Sequence, residues 1–134
     1  MRALYIDDEK ILLELVSISF DMDVESTVRV TSDVTEAIRL IRNEEFDVIL
    51  LDAVIPGVCV ADLVAQIKAT SNNPPPIIYI TGLALERQQA SLMETGAVGV
   101  ITKPFDPFRL PQRVSQLIEA TLASDDAQDA AQAA

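Results

Sequence analysis

The stretch Val48-Ile49-Leu50-Leu51-Asp52-Ala53-Val54-Ile55-Pro56-Gly57 sets four branched apolar residues directly before an aspartate and then a turn signal. An apolar run that short, without polar alternation, is the pattern of a strand buried on both faces, which is the condition of a parallel sheet. Working outward, the same grammar recurs. Ala3-Leu4-Tyr5-Ile6 runs into Asp7-Asp8, Ile77-Ile78-Tyr79-Ile80 into Thr81-Gly82, and Val98-Gly99-Val100-Ile101 toward Lys103-Pro104. Ligands of open α/β sheets bind at the carboxyl edge of the strands, so Asp7, Asp8, Asp52, Thr81 and Lys103 are expected to converge there. Three crowded acids call for a cation.

Between these runs the spacing turns helical. Ile11, Leu15 and Ile18, helped by Leu12 and Val16, predict an amphipathic helix from Glu9 to about Phe20. A short strand fits residues 26–31. Asp33 with Glu36 three residues on reads as a capping box for a helix to about Asn43. Leu63, Val64 and Ile67 mark the next helix, which Pro74-Pro75-Pro76 cannot continue. A helix from about Leu85 to Thr95 has a weak apolar stripe and is expected to pack least tightly, with Gly96 as its C-terminal cap. Leu110, Val114, Leu117 and Ile118 define a last helix to about Leu122. Residues 124–134, alanine with Asp125, Asp126 and Asp129, read as a disordered acidic tail behind a domain of residues 1–123. Five strand–helix units in strict alternation predict a doubly wound, five-stranded parallel sheet, a flavodoxin-like three-layer sandwich.

Composition narrows the function. The 134 residues, 49% of them hydrophobic, suit one domain with a real core. A formal net charge of −11 repels nucleic acid and anionic membrane, so neither direct nucleic-acid binding nor membrane binding is expected. No apolar run nears the about 20 residues that cross a bilayer, and no signal-peptide pattern is seen at the N-terminus, so a cytoplasmic location is expected. With one cysteine, Cys59, and no histidine, an intramolecular disulfide and a histidine-dependent catalytic dyad are excluded.

The chemistry follows from the residue types. Mg2+ takes octahedral oxygen ligands and is held by one or two carboxylates with phosphate oxygens and waters, a role open to Asp7, Asp8 and Asp52. An aspartate beside such an ion can attack a phosphoryl group and carry it as an aspartyl phosphate. Lys103 then supplies fixed positive charge and Thr81 a hydroxyl donor. Taken singly, Asp8 or Asp52 reads equally well as a helix N-cap, and Lys103 as solvated surface. Their joint placement at strand ends favours the site.

Tyr5-Ile6-Asp7-Asp8-Glu9, Leu50 through Gly57, Thr81-Gly82 and Ile101-Thr102-Lys103-Pro104-Phe105 together resemble the four signature segments of response-regulator receiver domains, of the single-domain, chemotaxis-regulator-like kind. The resemblance spans about residues 2–122. It implies that Asp52 is the phospho-acceptor, that Asp7, Asp8 and Asp52 bind Mg2+ with the backbone carbonyl of Val54, and that Thr81 and Lys103 contact the phosphoryl group. It further implies a cis peptide at Lys103-Pro104, a surface of the fourth helix, fifth strand and last helix that changes on phosphorylation, and a sensor histidine kinase or histidine phosphotransfer protein as donor. A signalling switch rather than an enzyme is expected, with no output domain, so that its output runs through contact with an unknown downstream protein.

Two departures from the pattern stand out. Val100 stands where the family usually carries the Tyr or Phe whose ring turns inward on phosphorylation, and Tyr79, two residues before Thr81 and on the same strand face, is the candidate substitute. Val54 and Leu83 are apolar where some receivers orient the hydrolytic water, which implies a comparatively long-lived phosphoryl group. Two other readings compete. Val100 leaves room for a docking module that no longer uses phosphorylation. A Mg2+-dependent phosphohydrolase of the haloacid-dehalogenase type also uses a strand-end aspartate, but it needs two aspartates separated by one residue, and Asp7 and Asp8 are adjacent. A flavodoxin is disfavoured by the lack of a phosphate loop after the first strand and of any tryptophan.

Overall fold

The strand-forming runs pair in a single parallel sheet in a computed structural model that describes the backbone of residues 1–82 and 86–133 and side chains up to residue 123. The strands are β1 (Arg2–Ile6), β2 (Thr27–Thr31), β3 (Val48–Leu51), β4 (Ile77–Thr81) and β5 (Gly99–Thr102). The helices are α1 (Lys10–Asp21), α2 (Val34–Asn43), α3 (Val60–Lys68), α4 (Glu86–Met93) and α5 (Leu110–Ala133). The sheet order is β2-β1-β3-β4-β5, all parallel. Winding runs outward from β1 to β2, then reverses past β1 to β3, so the topological switch point falls between the ends of β1 and β3.

Strand alternation divides the core. Leu4, Ile6, Ile49, Leu51, Ile77 and Tyr79 face Ala37, Leu40 and Ile41 of α2 and Leu63, Val64 and Ile67 of α3. Ala3, Tyr5, Val48, Leu50, Ile78 and Ile80 face Val16 and Phe20 of α1 and Leu110 and Val114 of α5. The inner strands β1, β3 and β4 are buried on both faces, as their apolar runs predict, whereas edge strand β2 exposes Thr27 and Arg29. α4 buries no residue fully, consistent with its weak stripe, and touches the core through partly buried Leu92.

The face of α1 differs from the predicted one. Ile11 is 80% and Ile18 57% exposed, whereas Val16, Ser19 and Phe20 are buried and Leu12 and Leu13 pack beside them. The reason is that Ile11 to Phe20 is apolar nearly all round, so a helical period fits two stripes equally. Tertiary contacts choose between them: the Ser19 hydroxyl donates to the Pro107 carbonyl, which turns that side inward against the start of α5. Val16→Ala is therefore expected to cost about 2 kcal/mol and Ile11→Ser less than about 0.5 kcal/mol, read from urea unfolding midpoints. Equal effects would restore the other face.

The Asp33 cap is also built differently. Asp33 Oδ1 accepts from Thr35 N at 2.8 Å and Glu36 N at 3.4 Å, but Glu36 does not reach back. Its carboxylate accepts from the Thr31 hydroxyl at 3.1 Å, and Thr31 Oγ1 accepts from Asp33 N at 3.1 Å. The threonine thus takes the place of the reciprocal arm of a capping box. Gly57 and Gly96 have positive φ, 76° and 92°, at the predicted turn and helix cap. The expected helix start at Leu85 lies outside the described residues. α5 runs past Leu122, the end predicted from its last apolar anchor, because the alanine-rich sequence that follows favours helix without needing a buried face.

Candidate functional site

The register of β1 against β3 pairs Tyr5 with Leu50, so two residues further on Asp7 and Asp52 continue the same row and stand side by side. Backbone bonds extend the strands to them: Asp7 N donates to Thr31 O at 3.2 Å and Asp52 N to Ile6 O at 3.1 Å. Both carboxylates are buried, whereas Asp8, on the opposite side of the strand end, is exposed. Carboxylate oxygens of Asp7, Asp8 and Asp52 nevertheless lie within 4.8 Å of one another. Lys103 enters from the end of β5, its amide donating to Thr81 O at 2.8 Å, and its peptide bond to Pro104 is cis. Its Nζ is 3.0 Å from Asp7 Oδ2 and 3.0 Å from Asp52 Oδ2, with the side chain only 16% exposed. Thr81 is buried at the end of β4.

Tyr5 is the site residue that sequence reasoning missed. Its buried hydroxyl donates to Asp7 Oδ2, while Asp7 Oδ1 accepts from Glu9 N at 3.0 Å. The signal was available: a tyrosine two residues before an acid on a strand shares its face. Asp52 Oδ1 accepts from Val54 N at 3.0 Å.

A family model described as the response regulator receiver domain matches residues 3–115. The chain belongs to that family. Aspartyl phosphorylation and use of Mg2+ are general properties of receivers in two-component systems. The receiver is 30% identical over 117 residues to response regulator SaeR of Staphylococcus aureus, covering 87% of this chain and 50% of that protein. Its likeness to transcriptional regulatory protein YvrH of Bacillus subtilis is 25% over 123 residues, 92% of this chain and 51% of the relative. The chain spans about half the length of the curated relatives it matches. Among solved structures, the receiver domain of the Francisella response regulator 1452 superposes with a TM-score of 0.76 at 26% identity, covering 90% of this receiver and 98% of that chain. No helix among the described residues is long and apolar enough to cross a membrane.

The electrostatics of the receiver site set its two buried acids apart. Burial pushes the Asp7 carboxyl up, but the Tyr5 hydroxyl, the Glu9 amide and the Lys103 ammonium together hold it below its ordinary range. Burial also pushes Asp52 up, and the neighbouring Asp7 charge adds to this. The Val54 amide and Lys103 only partly offset the rise, so Asp52 stays above its ordinary range. Burial lowers Lys103, yet its two carboxylate partners outweigh that and hold it above. One ammonium against three acids leaves negative charge uncompensated. Hard oxygen donors on one exposed and two buried carboxylates fit a divalent cation such as Mg2+.

Val100 and its candidate substitute are neighbours. Tyr79 pairs with Val100 across β4 and β5, and both pack in the core beneath α3 and α4. The Tyr79 hydroxyl lies 2.8 Å from Thr95 Oγ1, just beyond the end of α4, and burial raises its pKa. Val54 is 58% exposed beside Asp52, and Leu83 lies outside the described residues.

Proposed function

We propose that this receiver is a phosphorylation-dependent switch of a two-component system or phosphorelay, with Asp52 as phospho-acceptor. The observation that carries this is Lys103 Nζ bridging Asp7 and Asp52 at 3.0 Å inside a triad of acids. In the step, a carboxylate oxygen of Asp52 forms a bond to phosphorus as the phosphorus–nitrogen bond of a phosphohistidine breaks, and the imidazole leaves with the bonding pair. The donor is a sensor histidine kinase or a histidine phosphotransfer protein. Asp7, Asp8, Asp52 and the Val54 carbonyl would hold Mg2+, which supplies charge neutralisation for the phosphoryl oxygens. Lys103 exchanges its carboxylate partners for a phosphoryl oxygen, and Thr81 donates its hydroxyl to another.

The output is a contact with a downstream protein whose affinity depends on the phosphorylated population. Incubation with Mg2+ and a small phosphodonor, scored by intact mass, tests the reading: one phosphoryl group is expected. No uptake would favour the docking module that Val100 prompts, and turnover of phosphomonoesters the hydrolase.

Tyr79 carries the signal that Val100 cannot. Its ring lies beside Val100 in the strand register, it shares a strand face with Thr81, and its hydroxyl is tied to Thr95 behind α4. Tyr79→Phe is expected to lose about 1 kcal/mol of stability. It should leave phosphorylation intact but shrink the phosphorylation-dependent change in amide exchange over Glu86–Met93. An unaltered exchange response would reduce Tyr79 to core packing.

A further inference from the structure

Tyr5 has no place in the phosphoryl chemistry, yet its hydroxyl is the only polar atom of a side chain otherwise packed among Val16, Phe20, Leu50 and Leu110. That hydroxyl points at one atom, Asp7 Oδ2. A carboxylate has about four lone-pair sites, two per oxygen. Asp7 Oδ2 accepts from Tyr5 and from Lys103, which fills it, while among the described residues Oδ1 accepts from Glu9 N alone. One site therefore remains, on Oδ1.

We infer that Tyr5 is a positioning and specificity-determining residue: by occupying Asp7 Oδ2 it fixes the carboxylate and confines it to single-oxygen binding of a divalent cation. The inference rests on the proposed Mg2+ role of Asp7. When Lys103 turns to a phosphoryl oxygen, one Oδ2 site opens, and Tyr5 is the donor that still holds the other and fixes the carboxylate's orientation. The distinction matters chemically. Mg2+ demands near-ideal octahedral geometry with single-oxygen carboxylate ligands, whereas Ca2+ accepts six to eight oxygens and carboxylates that bind through both. A carboxylate held by one oxygen disfavours Ca2+, and a loosened one admits it. Outer partners of metal ligands also set affinity, and their removal typically weakens binding ten- to hundredfold.

Titration calorimetry with Mg2+ and with Ca2+, on the native protein and on Tyr5→Phe, tests this without reference to phosphorylation. The ring is retained in the variant, so the core volume is kept. Mg2+ binding is expected to weaken about tenfold with a smaller loss, or a gain, for Ca2+, so that the preference for Mg2+ narrows. A purely structural tyrosine would alter thermal stability and leave the ratio unchanged, which would overturn the inference. Native protein that binds Mg2+ with an unchanged ratio in the variant refutes Tyr5 alone, whereas native protein that binds no Mg2+ refutes the cation role of the triad as well. In the native protein the Tyr5 hydroxyl proton should give a slowly exchanging NMR resonance that persists when Mg2+ is added. Its loss on addition would show that Tyr5 releases Asp7, contrary to the inference.

Discussion

Asp52→Asn is expected to take up no phosphoryl group under conditions in which the native receiver gains one, because an amide oxygen lacks the negative charge and the lone-pair basicity needed to attack phosphorus. The substitution should not damage the fold. Asn Oδ1 can keep the bond from Val54 N, Lys103 loses this partner but retains Asp7, and the volume is nearly unchanged. Stability should even rise slightly at neutral pH in the presence of a chelator. Burial and the Asp7 charge hold the Asp52 carboxyl above its ordinary range, so the folded protein holds this proton more tightly than the unfolded chain. A raised carboxyl subtracts stability above its folded pKa, and that penalty fades as pH falls toward the unfolded value of about 3.9. Asparagine has no charge to bury. The melting temperature of Asp52→Asn should therefore exceed that of the native protein at pH 7, with the gap closing toward about pH 4. Intact mass and thermal scans read the two effects separately. Uptake by the variant would move the acceptor to another residue, with Asp7 and Asp8 the nearest alternatives.

What the sequence made legible follows from how strongly each residue type restricts its surroundings. Four-residue apolar runs ending at Asp7, Asp52 and Thr81 could hardly be anything but buried parallel strands, and a parallel sheet brings its carboxyl ends together by geometry alone. The division of labour inside the site was less legible. Asp7 and Asp8 look equivalent in sequence, yet strand alternation buries the first against Tyr5 and Lys103 and leaves the second exposed. Tyr5 itself reads as strand filler until the register shows where its hydroxyl falls. The buried face of α1 was not legible at all, because Ile11, Leu15 and Ile18 match a helical period as well as Val16 and Phe20 do. Long-range contacts separate them: Val16 and Phe20 pack with Leu110 and Val114, and Ser19 bonds to Pro107, 88 residues away.

The largest stability change should come from Lys103→Met. The ammonium is the shared partner of Asp7 and Asp52, both buried, and methionine keeps the stem while removing the charge. Breaking a buried pair leaves its carboxylates uncompensated, and such losses run to about 3 kcal/mol or more. Asp7 retains the Tyr5 and Glu9 donors, so most of the loss should fall on Asp52, which among the described residues keeps Val54 N alone. The sign of the pH response follows. Without Lys103 both carboxyls move up, Asp52 further above its ordinary range, so their penalty is full at neutral pH and shrinks on acidification. The variant should recover toward the native protein between about pH 7 and pH 4, where the surface pairs of Arg2 and Arg29 with Glu44 are still ionised. Mg2+ should rescue it too, since a divalent cation among the same oxygens restores the missing positive charge. Urea unfolding with chelator and with Mg2+ is the measurement. A larger Mg2+-induced gain in Lys103→Met than in the native protein is expected, because in the native protein the ion and the ammonium compete to neutralise one set of acids. Equal gains would mean that Lys103 and the cation neutralise different charges, and the single-site reading of Asp7, Asp8, Asp52 and Lys103 would fail.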